Sequence, residues 1–337
     1  MSGTVALTRA ADGVWIIAPA GAPTVVDDAP GIDAMVLDVV GGYLSWSVLA
    51  GQSTPAAVID DFVVAQEWIW AVYGERIAMA VDEFDGESIE LPAEPELPEL
   101  VANAWRLGYA HWAARWWPAS IIDGIGPLDE HLLDQEIAAL QAKCDLLVEQ
   151  DEPAHRALSS VEIPARANDY ALAAGSDSGI ATSALILARG TGGWDWHRCP
   201  PGLIDASEQA VSWQVLRAGG TTTVRVDVVA APQLPSDIPA HLRPRALITI
   251  ADGTIETELN LAGDTWSGQV RTDAEAASAV DVYVPGLGTP GPGSADDRHR
   301  VRDLAAARLR RATGVDDAAF DSPLLAEIAT AAAESDF

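Results

Sequence analysis

The chain has 337 residues, 49% of them hydrophobic, and carries 20 basic against 50 acidic side chains, a formal net charge of −30 at pH 7. A surface this acidic repels phosphate backbones and anionic lipid, which argues against nucleic-acid and membrane-surface binding. Two cysteines make no disulfide framework, the first ten residues lack the regions of a signal peptide, and no run reaches the roughly 18 apolar residues of a membrane span, so a cytoplasmic protein is expected.

Gly13–Pro19 and Asp33–Val40 read as short apolar strands, and Gly41-Gly42 turns the chain into a third near Tyr43–Leu49. Ser53-Thr54-Pro55 has the form of a cap followed by proline at the first helical position. The helix expected after it carries Val58, Phe62, Ala65, Ile69 and Val72 on one stripe and Ile59, Val63, Trp70 and Tyr73 on a second. Asp82–Glu99 holds eight acidic residues, no basic one and three prolines, and is expected as an exposed loop.

Trp105, Tyr109, Trp112 and Trp116 recur at i, i+4, i+7 and i+11, the stripe of a core helix that Pro118 should end. Leu133, Ile137, Leu140, Cys144 and Leu147 form an aliphatic seam on a further helix, and the two seams suit an antiparallel pair. From about Asp169 the period becomes 2. Val211, Trp213 and Val215, then Val224, Val226 and Val228, alternate with polar residues across Gly219-Gly220. Ile248 and Ile250 precede Asp252-Gly253, a hairpin signal, and Trp266–Val270 and Val280–Val284 bring the count to about six strands.

The expected fold is therefore α+β. Residues 1–160 form a mixed domain with short strands and three amphipathic helices, including the acidic loop 82–99. Residues 161–290 form an antiparallel β-sandwich. Residues 291–337 supply a connector, an arginine-rich helix near Arg298–Thr313 and an acidic tail that is helical in part.

Few chemical motifs in the chain are complete. Gly286-Leu-Gly-Thr-Pro-Gly291 has dinucleotide-loop spacing, but prolines 290 and 292 disrupt the turn and no helix begins at the last glycine. A Walker A loop is excluded, since Lys143 is the only lysine and follows Ala142. Gly175–Gly179 is not a nucleophile elbow, because Asp177 occupies the serine position; Ser178 is better placed in a turn.

Trp194-Asp-Trp-His-Arg-Cys199 gathers Asp195, His197 and Cys199, which a strand would put on one face, with His131 or His155 as conceivable partners from elsewhere. These three are the candidate catalytic residues, against the plainer reading of a polar strand edge. Asp129, Glu130, His131, Asp134 and Glu136 suit a helix dipole and solvent better than a cation. His111 and Arg115, one turn apart, have the spacing of an anion site, though a solvated face explains them as well.

Arg298, Arg300, Arg302, Arg308, Arg310 and Arg311 oppose the charge of the whole chain. They are the candidate partner-binding residues, docking either on an acidic partner or on the protein's own acidic surface. The leading expectation is a non-enzymatic scaffold or adaptor subunit of a cytoplasmic multi-protein assembly. The alternatives are a hydrolase or other enzyme of unrecognised type using His197 and Cys199 or a carboxylate cluster, and a small-molecule or carbohydrate-binding module that stacks tryptophans on its ligand. No metal and no cofactor is expected; protein partners are, with a homo-oligomer left open.

Overall fold

The computed structural model describes residues 3–10, 13–27, 31–84, 86–148, 184–200, 202–234, 238–288, 294–314 and 321–335. Ser178 with its turn, His155, and residues 289–291 of the glycine motif lie outside the described residues. Within them the chain is mixed α+β, with six α-helices, three antiparallel sheets and a C-terminal helix. No helix among the described residues is long and apolar enough to cross a membrane.

The N-terminal sheet comprises β1 (Thr4–Arg9), β2 (Trp15–Pro19), β3 (Ala34–Val39), β4 (Gly42–Ser47), β5 (Ala56–Ile59) and β6 (Ile89–Pro92). Its strand order is β3-β4-β5-β2-β1-β6, which leaves β3 at an edge. β3 and β4 form a hairpin in which Val39 lies opposite Gly42. Gly41, in the two-residue turn, has φ 76°, a conformation that favours glycine.

Three expectations are corrected in this region. Ser53-Thr54-Pro55 does not open a helix; Ala56–Ile59 is the buried strand β5, paired with β2 and β4. A four-residue apolar run fits either period, and hydrogen bonds from both neighbouring strands decide it. Helix α1 (Phe62–Tyr73) starts behind Asp61, whose carboxylate accepts from the Val63 and Val64 N–H groups. The second stripe fails with it: Val63 is 81% and Trp70 41% exposed. Trp68 is the residue turned inward, its Nε1–H donating to the Val40 carbonyl at 2.7 Å. The acidic run is not all loop either. Ile89–Pro92 adds β6 to β1, the backbone taking up the ladder while acidic Glu90 faces water.

Helix α2 (Glu75–Asp82) follows α1. Helix α3 (Pro98–Trp116) ends before Pro118 as expected and packs on β3, with Gly108 over the Trp46 ring. Its rings stack along the stripe: Trp105 on Tyr109 at 5.3 Å, then Tyr109 on Trp112 at 5.5 Å. Helix α4 (Glu130–Lys143) packs on α3. Trp117, at the end of α3, donates to the Gly126 carbonyl before the start of α4, so the pair is antiparallel. The region before residue 148 thus has four helices, not three.

The remaining strands are β7 (Leu185–Gly192), β8 (Val211–Ala218), β9 (Thr221–Val229), β10 (Arg245–Ile250), β11 (Gly253–Glu258), β12 (Asn260–Ala262), β13 (Thr265–Thr272) and β14 (Ala279–Tyr283), eight where about six were expected. They form a five-stranded sheet, β12-β13-β9-β8-β7, and a three-stranded sheet, β11-β10-β14. Val224, Val226 and Val228 are buried, as the alternation predicts, together with Ile248, Trp266 and Val282. The β10–β11 turn is Ala251-Asp252, with Gly253 opposite Ile250, so the hairpin signal is right and its frame is one residue off.

Helices α5 (Ala295–Ala312) and α6 (Leu325–Ser335) pack on each other, and α6 also packs on α4. Ser294 and Asp297 form a capping box at the start of α5.

Candidate functional site: a cleft along the β3 edge

A cleft of about 960 Å³ runs between β3 and α3. One wall is the outer edge of β3 with its turn into β4, from Ala34 to Tyr43, joined by Asp60. The opposite wall is the C-terminal half of α3, which contributes Leu107, His111, Trp112, Arg115 and Trp116. His197 closes one side, and Gln141 and Val148 reach in from α4 and the chain beyond it.

The α3 wall follows from helical spacing. His111 and Arg115 are one turn apart, and both are exposed. Trp112, on the inner face, is fixed by its Nε1–H to the Ile32 carbonyl at 2.7 Å. Trp116 carries the Arg115 guanidinium over its ring at 5.1 Å and meets the His197 ring at 5.2 Å and 58°. Although His111 reaches solvent, partial desolvation by its surroundings lowers its pKa from the ordinary value, so the ring is neutral at pH 7. Arg115 makes no ion pair with a carboxylate among the described residues and is the fixed positive charge of this wall. Asp38 and Asp60 make the sheet side negative.

Trp194–Cys199 is not a strand, which corrects the premise that put Asp195, His197 and Cys199 on one face. Trp196–Arg198 is a single 3-10 turn, capped by the Asp195 carboxylate on the His197 N–H. The reason is on either side of it. Trp194 and Trp196 are buried, Arg198 stacks on Tyr283 at 4.6 Å, and the Val284 N–H donates to the Arg198 carbonyl. Gly288, at φ 60°, comes so close that a Cβ there would lie 2.2 Å from the His197 carbonyl oxygen. The glycine motif at 286–288 therefore packs this turn.

Asp195 and His197 do meet, Oδ1 to Nδ1 at 3.2 Å, and His197 opens on the cleft. Cys199 instead lines a small apolar pocket of about 50 Å³ with Trp116, Trp117, Trp194, Trp196 and Ile204. Burial pushes its thiol from the ordinary 9.0 up to about 12, and Cys144 likewise. Neither thiol is a nucleophile near neutrality. Both should resist Ellman's reagent at pH 8 until the chain unfolds, and labelling of the native protein within minutes would contradict this. Because the folded thiols hold their protons more tightly than unfolded ones, stability should fall as pH rises from about 9 towards 12.

His131 is hydrogen-bonded to Gln135 on α4, and Asp129 caps that helix. Glu136 is buried and accepts from Arg106 at 2.6 Å and from the Leu325 N–H at 2.6 Å. Among the described residues, no group of three or more histidines, cysteines and carboxylates could hold a metal ion. Trp194 and Trp266 donate their indole N–H groups to the carbonyls of Asp205 and Leu203, inside the core.

The six arginines divide by the partners they find. Arg298 grips Glu208 with two bonds, at 2.6 and 3.0 Å. Arg302 reaches Glu208, Asp123 and the Ala206 carbonyl, each at 3.2 Å. Burial alone would raise the Glu208 carboxyl, but these two arginines outweigh it and hold it below the usual range. Arg308 pairs with Glu327 and Arg311 with Asp321. Arg300 makes only an exposed 3.9 Å contact to Asp297, and Arg310 is exposed. Four of the six thus engage the protein's own carboxylates within 3.2 Å, and Arg300 touches one only at 3.9 Å. Glu208, Glu327 and Asp123 were not foreseen as their partners, although the stripe Arg298, Val301, Arg302, Ala305, Arg308, Leu309 already turned arginines to the buried face of α5.

No family model matches this chain, and no significant similarity to a curated protein or to a solved structure is found.

Proposed function

We propose that the chain is a non-enzymatic scaffold or adaptor subunit of a multi-protein assembly, and that it holds a protein partner in the cleft beside β3. One observation carries this reading: an edge strand lines the cleft, and sheet edges are where proteins take up other chains. The same reading takes the five- and three-stranded sheets as the layers of a sandwich, the organisation as 1–160, 161–290 and 291–337, and the assembly as cytoplasmic. The exposed Arg300 and Arg310 remain available to a partner. Affinity purification of the tagged chain from its own host at physiological salt tests the proposal. A stoichiometric partner is expected; a solitary monomer would remove it.

The Asp195–His197 contact favours a second reading, a hydrolase with His197 as general base. It lacks a nucleophile, since no hydroxyl or thiol among the described residues hydrogen-bonds to His197. Turnover of generic ester substrates that is abolished in His197→Ala would favour it.

A further inference from the structure

Building on the adaptor reading, we infer that the partner enters as an extended acidic peptide that adds a strand to the outer edge of β3. The register identifies the backbone groups involved. Val39 and Gly42 flank a two-residue turn and must exchange both of their bonds, so Leu37 and Met35 also point their N–H and C=O groups at β4. Those of Val36 and Asp38 then point away from β4, along the cleft. The flanks of this window are already satisfied. The Ala34 N–H donates to the Gly31 carbonyl, the Val40 N–H to the Leu147 carbonyl at 2.8 Å, and the Val40 carbonyl accepts from Trp68. Among the described residues nothing bonds to the outward groups of Val36 and Asp38. Two donors and two acceptors stand in line there, next to a position where main chain already adds to the same edge at Val40.

The charge of the facing wall selects the peptide. Arg115 has no carboxylate among the described residues, although the chain carries 50 acidic side chains against 20 basic ones. His111 and His197 flank it as hydrogen-bonding rings, and Trp116 gives an aromatic surface between them. A strand on β3 would direct alternate side chains towards this wall, where a Glu or Asp finds a guanidinium. Asp38 and Asp60 on the sheet side disfavour an acid there and accept a basic or hydroxyl residue. The expected signature is therefore a short β-prone segment with an acidic residue at one alternating position.

A random heptapeptide library displayed on phage, selected against the full chain, tests this. Enrichment of Asp or Glu among β-branched residues is expected. Val36→Pro removes an outward N–H without touching the β3–β4 ladder, and should weaken selected peptides about tenfold. Arg115→Ala, at an exposed helical position, should do the same without any demand on the sheet, and for acidic peptides only. Selection without acidic enrichment, or peptides that bind both variants as well as the parent, would overturn the inference. A host partner retained equally by the parent and Val36→Pro would also remove it, while leaving the adaptor reading in place. Library peptides that obey both substitutions while no host partner is captured would keep the site and remove the adaptor.

Discussion

Replacing Arg308 with methionine should cost about 3–5 kcal/mol of folding stability, the range found when one partner of a buried ion pair is removed. Both partners are interior: the Arg308 side chain is 4% exposed and that of Glu327 0%. Arg308 Nη2 donates to Glu327 Oε2 at 2.8 Å, and the guanidinium lies 4.1 Å over the Tyr109 ring. Tyr109 donates its hydroxyl to Glu327 Oε1 at 2.8 Å, and the Leu324 N–H donates to Oε2 at 2.7 Å. Burial, and then the Glu327 charge, push the Tyr109 hydroxyl well above its ordinary pKa, so it stays a donor. Without Arg308 a carboxylate remains in the core with two neutral donors, and the Asp321 and Ser322 carbonyls lose theirs. The double variant Arg308→Met with Glu327→Leu should recover most of the loss, because no charge is then stranded. Urea unfolding of the three variants reads this directly. An unchanged midpoint for the single variant would mean that α5 and α6 are not fastened to α3 through this pair.

The second large effect is expected at Asp205, which is fully buried and was not suspected from its neighbourhood in the chain. Its carboxylate accepts from the Ser120 hydroxyl at 2.7 Å, the Ile121 N–H at 2.7 Å and the Ser207 N–H at 2.9 Å. It thereby ties the segment that follows α3 to the loop that precedes β8. Asp205→Ala strands three donors at roughly 1 kcal/mol each or more, so a loss of about 3 kcal/mol is expected. The consequence should reach the cleft, since this tie sets the end of α3, with Trp116, against the turn that carries His197. A change in the His197 ring resonances by NMR should accompany the loss of stability. A loss below 1 kcal/mol would mean that water replaces the carboxylate without strain.

The parts of the fold legible in the sequence are those in which one face of an element is buried and the other wet. The Trp105–Trp116 stripe and the Val224–Val228 alternation are of this kind, and Gly219-Gly220 turns between β8 and β9 at φ 57° and 81°, as glycine permits. Where both faces are buried the period disappears. Ala56–Ile59 reads equally as helix or strand, and its strand neighbours decide. β6 was hidden for the opposite reason, because the acidic run around it says nothing about the backbone that pairs with β1. Site residues were legible by type and not by partner. The arginines of α5 stood out by composition, yet Arg298 meets Glu208 and Arg302 meets Asp123 across long sequence separations that no local pattern records. His111 and Arg115 were visible as a pair one turn apart. That they face the open side of β3 depends on strand order, which places a strand from the middle of the first sheet's sequence at its edge.

The openness of that edge is the claim on which the partner-binding account depends, and amide hydrogen exchange of the free full-length chain, read by NMR, tests it most directly. The Leu37 and Val39 amides, bonded to β4, should exchange with the slow kinetics of the sheet, while those of Val36 and Asp38 should exchange close to the rate of unstructured peptide. Protection of Val36 and Asp38 equal to that of Leu37 would show the edge already occupied and would contradict the account.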